Sequence, residues 1–120
     1  MIGRVKLVNI PVSDQGRALA FYTEKLGFEV ARDETFGDRR WLELEIPGAN
    51  TRITLSPPEV HEDRIGTSTG IVFGAEDIHA TYDDLVAKGV VFVKPLAKES
   101  WGMRAVFKDE DGNSFMLVAH

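Results

Sequence analysis

The 120-residue chain has no cysteine. A disulfide scaffold, a cysteine-ligated zinc site and a thiol nucleophile are therefore excluded. No apolar stretch approaches the ~20 residues that span a bilayer. The segment Met1-Ile2-Gly3-Arg4-Val5-Lys6 lacks the apolar run of a signal peptide. A soluble, cytoplasmic protein with no membrane partner is the expectation. Basic residues are in deficit, with 14 Lys and Arg against 19 Asp and Glu and a net charge of −5. With no basic surplus to neutralise phosphates, nucleic acid is not an expected partner. A phosphate loop is missing too: Gly66-Thr67-Ser68-Thr69-Gly70 has no Gly-Lys-Ser/Thr ending and reads as the connection into a fifth strand. Histidine is sparse and scattered. His61 and His79 read as locally solvated, and His120 as a frayed end. What remains is the balance of one folded domain, 43% hydrophobic and 28% charged, long enough to bury a core without staples.

The chain repeats itself. Val8-Asn9-Ile10-Pro11-Val12 reads as a strand, and a helical stretch then runs through Phe21-Tyr22 to Leu26. Gly27-Phe28-Glu29-Val30 opens another strand. The order returns from Gly70-Ile71-Val72-Phe73 through Tyr82 and Leu85-Val86 to Gly89-Val90-Val91-Phe92-Val93. Ala18, Phe21, Tyr22 and Leu26 make one apolar helical stripe, and Ile78, Tyr82, Leu85 and Val86 make another. Ser13 or Asp14 caps the first helix and Asp77 the second. Gly27 and Gly89 suit the left-handed residue that ends a helix. Three strands follow each helix, near 28–35, 39–46 and 51–56, then near 90–95, 103–108 and 114–119. The pattern predicts an α+β fold of two βαβββ modules, at about 1–57 and 70–120, joined by an aperiodic linker at 58–69.

Strand alternation separates two faces. The uniformly apolar set (Val8, Ile10, Val12, Leu42, Leu44, Ile53 and Leu55, and Ile71, Phe73, Ala105, Phe107, Phe115 and Leu117 in the second half) belongs beneath the helices. The opposite, concave face mixes Leu7, Trp41, Val72, Val106 and Met116 with Asn9, Glu43, Glu45, Arg52, Thr54, Ser56 and Arg104. Apolar walls with sparse polar groups suit a small-molecule cleft; packing between modules or across a dimer contact is the other reading. A turn at 47–50 sets Glu45 across from Arg52, as an ion pair, and Glu43 across from Thr54. Glu43 is the candidate catalytic, ionisable group, with burial expected to raise its pKa. Trp101, in a loop at 99–103 freed by Gly102, could close over a ligand. Arg39-Arg40 reads as a solubility feature.

Two motifs carry a resemblance. Val8-Asn9-Ile10-Pro11-Val12-Ser13-Asp14, with Arg17-Ala18-Leu19-Ala20-Phe21-Tyr22 and Lys25-Leu26-Gly27-Phe28, resembles the opening of vicinal oxygen chelate proteins. That superfamily holds glyoxalase I, bleomycin-resistance proteins and extradiol dioxygenases. Val106-Phe107-Lys108-Asp109-Glu110-Asp111-Gly112-Asn113 is similar to its Asp-Pro-Asp-Gly-Asn hairpin, with Glu110 in place of proline. The resemblance covers the whole chain. It implies two βαβββ modules forming curved mixed sheets around a cleft, and a homodimer. The family's metal enzymes hold a divalent ion on the concave face; the matching positions here are Leu7, Thr54, Gly70 and Met116. Leu7 and Gly70 have no side-chain donor and Met116 is soft, so the set does not suit Zn²⁺, Ni²⁺, Mg²⁺ or Fe²⁺. The expectation is a binder of a small, partly apolar molecule with no metal and no cofactor. Its ligand would contact Leu7, Asn9, Trp41, Glu43, Arg52, Thr54, Val72, Trp101, Arg104 and Met116. The alternative is a metal-dependent lyase, isomerase or dioxygenase of glyoxalase type using unrecognised ligands.

Overall fold

The computed structural model describes residues 1–119; His120, expected to fray, lies outside them. The chain divides into two compact units, Met1–Ile65 and Gly66–His120. Each is a βαβββ module.

In the first unit β1 (Leu7–Pro11) leads into α1 (Gln15–Ala20). Asp14 caps this helix by accepting from Arg17 N–H at 3.0 Å, so of the two candidate caps the structure uses the aspartate. The helix then widens into a π-helical turn, Phe21–Lys25, in which Leu26 N–H reaches Phe21 C=O at 3.4 Å. Gly27 ends it at φ 79°, a conformation that a side chain would strain. β2 (Glu29–Phe36), β3 (Arg39–Glu45) and β4 (Arg52–Ser56) follow. The sheet order is β1-β4-β3-β2, with β1 parallel to β4 and the other pairs antiparallel. Ile10, Val12, Leu42, Leu44, Ile53 and Leu55 are buried together with Ala18, Phe21 and Tyr22 of the helical segment. This is the face that alternation assigned to the helix.

After β4 the linker departs from its aperiodic reading. Pro58–His61 forms a short helix, α2, and Glu62–Arg64 a 3₁₀ turn. Pro58 stands in the first turn, where proline's missing N–H costs nothing.

The second unit comprises β5 (Ser68–Ala75), α3 (Ile78–Ala87), β6 (Val91–Glu99), β7 (Gly102–Lys108) and β8 (Ser114–Ala119), in sheet order β5-β8-β7-β6. Asp77 caps α3 by accepting from Ala80 N–H at 3.0 Å. At its other end Gly89 N–H reaches Val86 C=O and Val90 N–H reaches Leu85 C=O, the paired bonds that close a helix through a left-handed glycine. Phe73, Phe107 and Phe115 stack beneath it, with ring centroids 5.3–6.1 Å apart.

The Asp109–Asn113 turn is built on its own side chains. Asp109 Oδ1 accepts from the N–H groups of Asp111 and Asn113, and Asn113 Nδ2 donates to Asp109 Oδ2. Asn113, fully buried, also accepts from Gly66 N–H at 2.8 Å. No helix among the described residues is long and apolar enough to cross a membrane.

Candidate functional site

The exposed-side surface of the first sheet carries a cavity of about 500 Å³. β1, β3 and β4 bring Leu7, Asn9, Trp41, Thr54 and Ser56 to it. The register pairs Asn9 with Thr54 and Pro11 with Ser56, so the polar residues of two parallel strands stand side by side. The Thr54 hydroxyl donates to Asn9 Oδ1 at 2.8 Å. Thr54 and Ser56 are buried, and Ser56 Oγ has no hydrogen-bond partner among the described residues. Phe36 from the end of β2 and Val60 from α2 complete the apolar wall.

Trp41 is held from below. Its indole N–H donates to Glu43 Oε1 at 3.1 Å, and Arg52 donates to Glu43 Oε2 at 2.6 Å. The Glu43 side chain is 6% exposed and that of Arg52 43%. Arg52 stands across from Glu45 in register, as the turn at 47–50 predicts, yet its closer partner is Glu43; Glu45 lies at 3.7 Å. The more buried carboxylate takes the short bond because it has less water to compete with.

This corrects the expectation for Glu43. Its carboxyl is held below the ordinary value, first by the Arg52 hydrogen bond and then, against burial, by Trp41. Glu43 is an ionised acceptor with both oxygens engaged, which is the opposite of a carboxyl poised for proton transfer near neutral pH.

In the second unit, Val72, Met116 and Val106 follow one another across the register of β5, β8 and β7. Val72 is exposed. Arg104 is paired with Glu99 through Nε and NH2. Arg52 and Arg104, expected to contact a ligand, are thus both engaged with carboxylates. The expected loop at 99–103 is instead a tight turn: Glu99 pairs with Gly102, and only Ser100 and Trp101 lie between the strands. The ladder continues to the turn, and Trp101 is exposed at its tip.

The four matched metal positions lie on four different strands. Leu7 and Thr54 share the first sheet's surface, Gly70 lies at a bulge of β5, and Met116 stands in β8. Thr54 spends its hydroxyl proton on Asn9. This donor set does not fit a divalent ion, and no three His, Cys, Asp or Glu side chains gather among the described residues. His61 lies in α2, and His79, exposed, in the first turn of α3.

Phe36, Arg39, Arg40, Pro57 and Val60 line the cavity without having been singled out as site residues. The Pro57-Pro58 pair was the available signal for α2, since proline favours the first helical turn. The two arginines differ. Arg40 makes a two-pronged pair with Asp33 at 2.8 and 2.9 Å, whereas Arg39 is exposed.

Comparison with known proteins agrees with this architecture. The profile of the Glyoxalase/Bleomycin resistance protein/Dioxygenase superfamily matches residues 4–117. A superfamily member from Sphaerobacter thermophilus DSM 20745 is 39% identical and superposes with a TM-score of 0.91, covering 99% of this chain and 98% of that one. TnmS3, an antibiotic binding protein from Streptomyces sp. CB03234, is 32% identical with a TM-score of 0.84, over 98% of this chain and 96% of that one. The uncharacterized protein YetH of Bacillus subtilis (strain 168) is 39% identical over 98% of both chains. The chain belongs to the glyoxalase/bleomycin resistance protein/dioxygenase superfamily.

Proposed function

We propose that this protein binds a small, partly apolar molecule in the cavity of its first unit, without the metal ion of the family's enzymes. The cavity of about 500 Å³ carries this reading. That volume suits a drug-sized ligand, and the apolar walls with a few fixed polar groups are the composition of such sites. Leu7, Phe36 and Trp41 supply contact area, while Asn9, Thr54 and Ser56 supply hydrogen bonds. Glu43 and Arg52 act through Trp41, whose ring they hold in place before a ligand arrives. The likeness to an antibiotic binding protein supports sequestration over turnover. Val72, Trp101, Arg104 and Met116 are proposed as a ligand-facing surface of the second unit, and a homodimer in the cytoplasm as the working form. Each four-stranded sheet has two edge strands, which favours association.

Titration with the neutral fluorophore N-phenyl-1-naphthylamine tests the binding site. Saturable binding at one site per chain is expected, weakened about tenfold in Trp41→Ala through loss of aromatic contact. Absence of saturation, or an unchanged Trp41→Ala titration, would overturn the proposal. Light scattering on the eluting protein tests the dimer: a mass near that of one chain overturns it.

A further inference from the structure

The charge around the cavity runs against the charge of the chain. The protein carries a net −5, yet among the described residues no carboxylate lines the cavity, while Arg39 and Arg40 do. Arg40 is neutralised by Asp33. The Arg39 guanidinium has no hydrogen bond or ion pair among the described residues. Asp38 and Glu59 line a smaller neighbouring cavity of about 350 Å³ together with both arginines, and neither bonds to Arg39.

The cavity's neutral polar groups point to the same kind of partner. Ser56 is 9% exposed and its Oγ has no partner, which leaves a buried hydroxyl to be satisfied. Asn9 spends its carbonyl oxygen on Thr54, so its amide N–H groups stay open for donation. A site with one free guanidinium, open donors and no carboxylate is matched by a ligand rich in acceptors and negative in charge. A cationic ligand would meet no carboxylate on the wall of this cavity.

We propose that the cavity selects anionic amphiphiles, an aromatic body bearing one carboxylate or sulfonate, with Arg39 taking the anionic group. This rests on the cavity being a ligand site, and it names the ligand class. Aromatic faces fit because Trp41 and Phe36 form the wall, and Trp41 is already oriented by Glu43. The planar guanidinium suits a two-oxygen anion.

Two probes that share an aromatic body and differ by one sulfonate decide the matter: 8-anilinonaphthalene-1-sulfonate and N-phenyl-1-naphthylamine. Both are titrated into the full chain, the Arg39→Gln, Arg39→Lys and Trp41→Ala variants. Arg39→Gln should weaken the sulfonate probe roughly fivefold, the size of one partly exposed charge-assisted contact, and leave the neutral probe within about twofold. Arg39→Lys, which keeps the charge and loses the planar fork, should weaken the sulfonate probe less than Arg39→Gln does. Raising the salt from 50 to 500 mM NaCl, roughly a threefold shortening of the screening length, should weaken only the sulfonate probe. If Arg39→Gln shifts both probes alike, or neither, the anion assignment is wrong while the binding site stands. If neither probe shows saturable, Trp41-dependent binding, the site itself is wrong. Arg39 is exposed and unpaired, so its variants should keep the parent's thermal midpoint; a lowered midpoint would mean that Arg39 holds the fold rather than a ligand.

Discussion

Glu43→Gln isolates the charge at the foot of Trp41. The substitution preserves shape and keeps one acceptor oxygen, so the variant can satisfy Trp41 or Arg52 but not both. A hydrogen bond to a charged group contributes roughly 1.5–3 kcal/mol. Arg52 is 43% exposed and recovers water when the pair is broken, which trims the loss to about 1–2 kcal/mol. At about 4 °C per kcal/mol for a chain of this size, the melting midpoint should fall by roughly 4–8 °C at pH 7. The pH dependence identifies the cause. Arg52, and then Trp41, lower the folded-state pKa of Glu43 beneath its unfolded value. A group lowered in this way adds stability that is fully present above the unfolded pKa, about 4.3 for glutamate, and is lost as pH falls through the folded pKa. The difference in midpoint between parent and Glu43→Gln should therefore be constant from pH 6 to pH 8 and shrink below about pH 4.5. Thermal unfolding followed by circular dichroism between pH 3 and pH 8 measures it. A difference that stays the same down to pH 3 would refute the assignment of Glu43 as an ionised, paired carboxylate.

Three further outcomes follow from other parts of the structure. Ser56→Ala removes a buried hydroxyl with no partner and should leave the ligand-free protein as stable as the parent, or up to about 1 kcal/mol more stable, by denaturant titration; a loss above that size would show that the hydroxyl has a partner. Asn113→Ala deletes the acceptor of Gly66 N–H and the donor to Asp109 from a fully buried position, and should cost about 2–4 kcal/mol in the same assay; a cost under ~0.5 kcal/mol would mean the turn holds without it. Elemental analysis after dialysis should find no stoichiometric Zn, Ni, Mn or Fe, and one equivalent of any of them would return the protein to the metal-dependent reading.

Much of the architecture was legible locally. Alternation in the strands and a 3.6-residue stripe in the helices reflect which side chains meet water, and they placed Leu7, Asn9, Trp41 and Thr54 on the lined face, though Leu42 and Leu55, read as buried beneath the helix, also border the cavity. The turn at 47–50 set the register of β3 and β4 because a hairpin's length fixes which residues face each other. The donor-poor character of the matched metal positions was also readable, since it depends on residue type alone.

Other properties arose only when distant segments met. Glu43 sits low in the sheet, where Arg52 and Trp41 both reach it, and no periodicity says which of two glutamates an arginine will prefer. The cavity's end is closed by Phe36 and Val60, from a hairpin tip and a short helix whose positions follow from packing rather than from local pattern. Arg39 and Arg40, neighbours with the same chemistry, part company because Asp33 stands where it can grip one guanidinium and leaves the other open. Sequence spacing sets what a residue is and which way it points; only the folded chain decides which charges are spent on each other and which are left for a ligand.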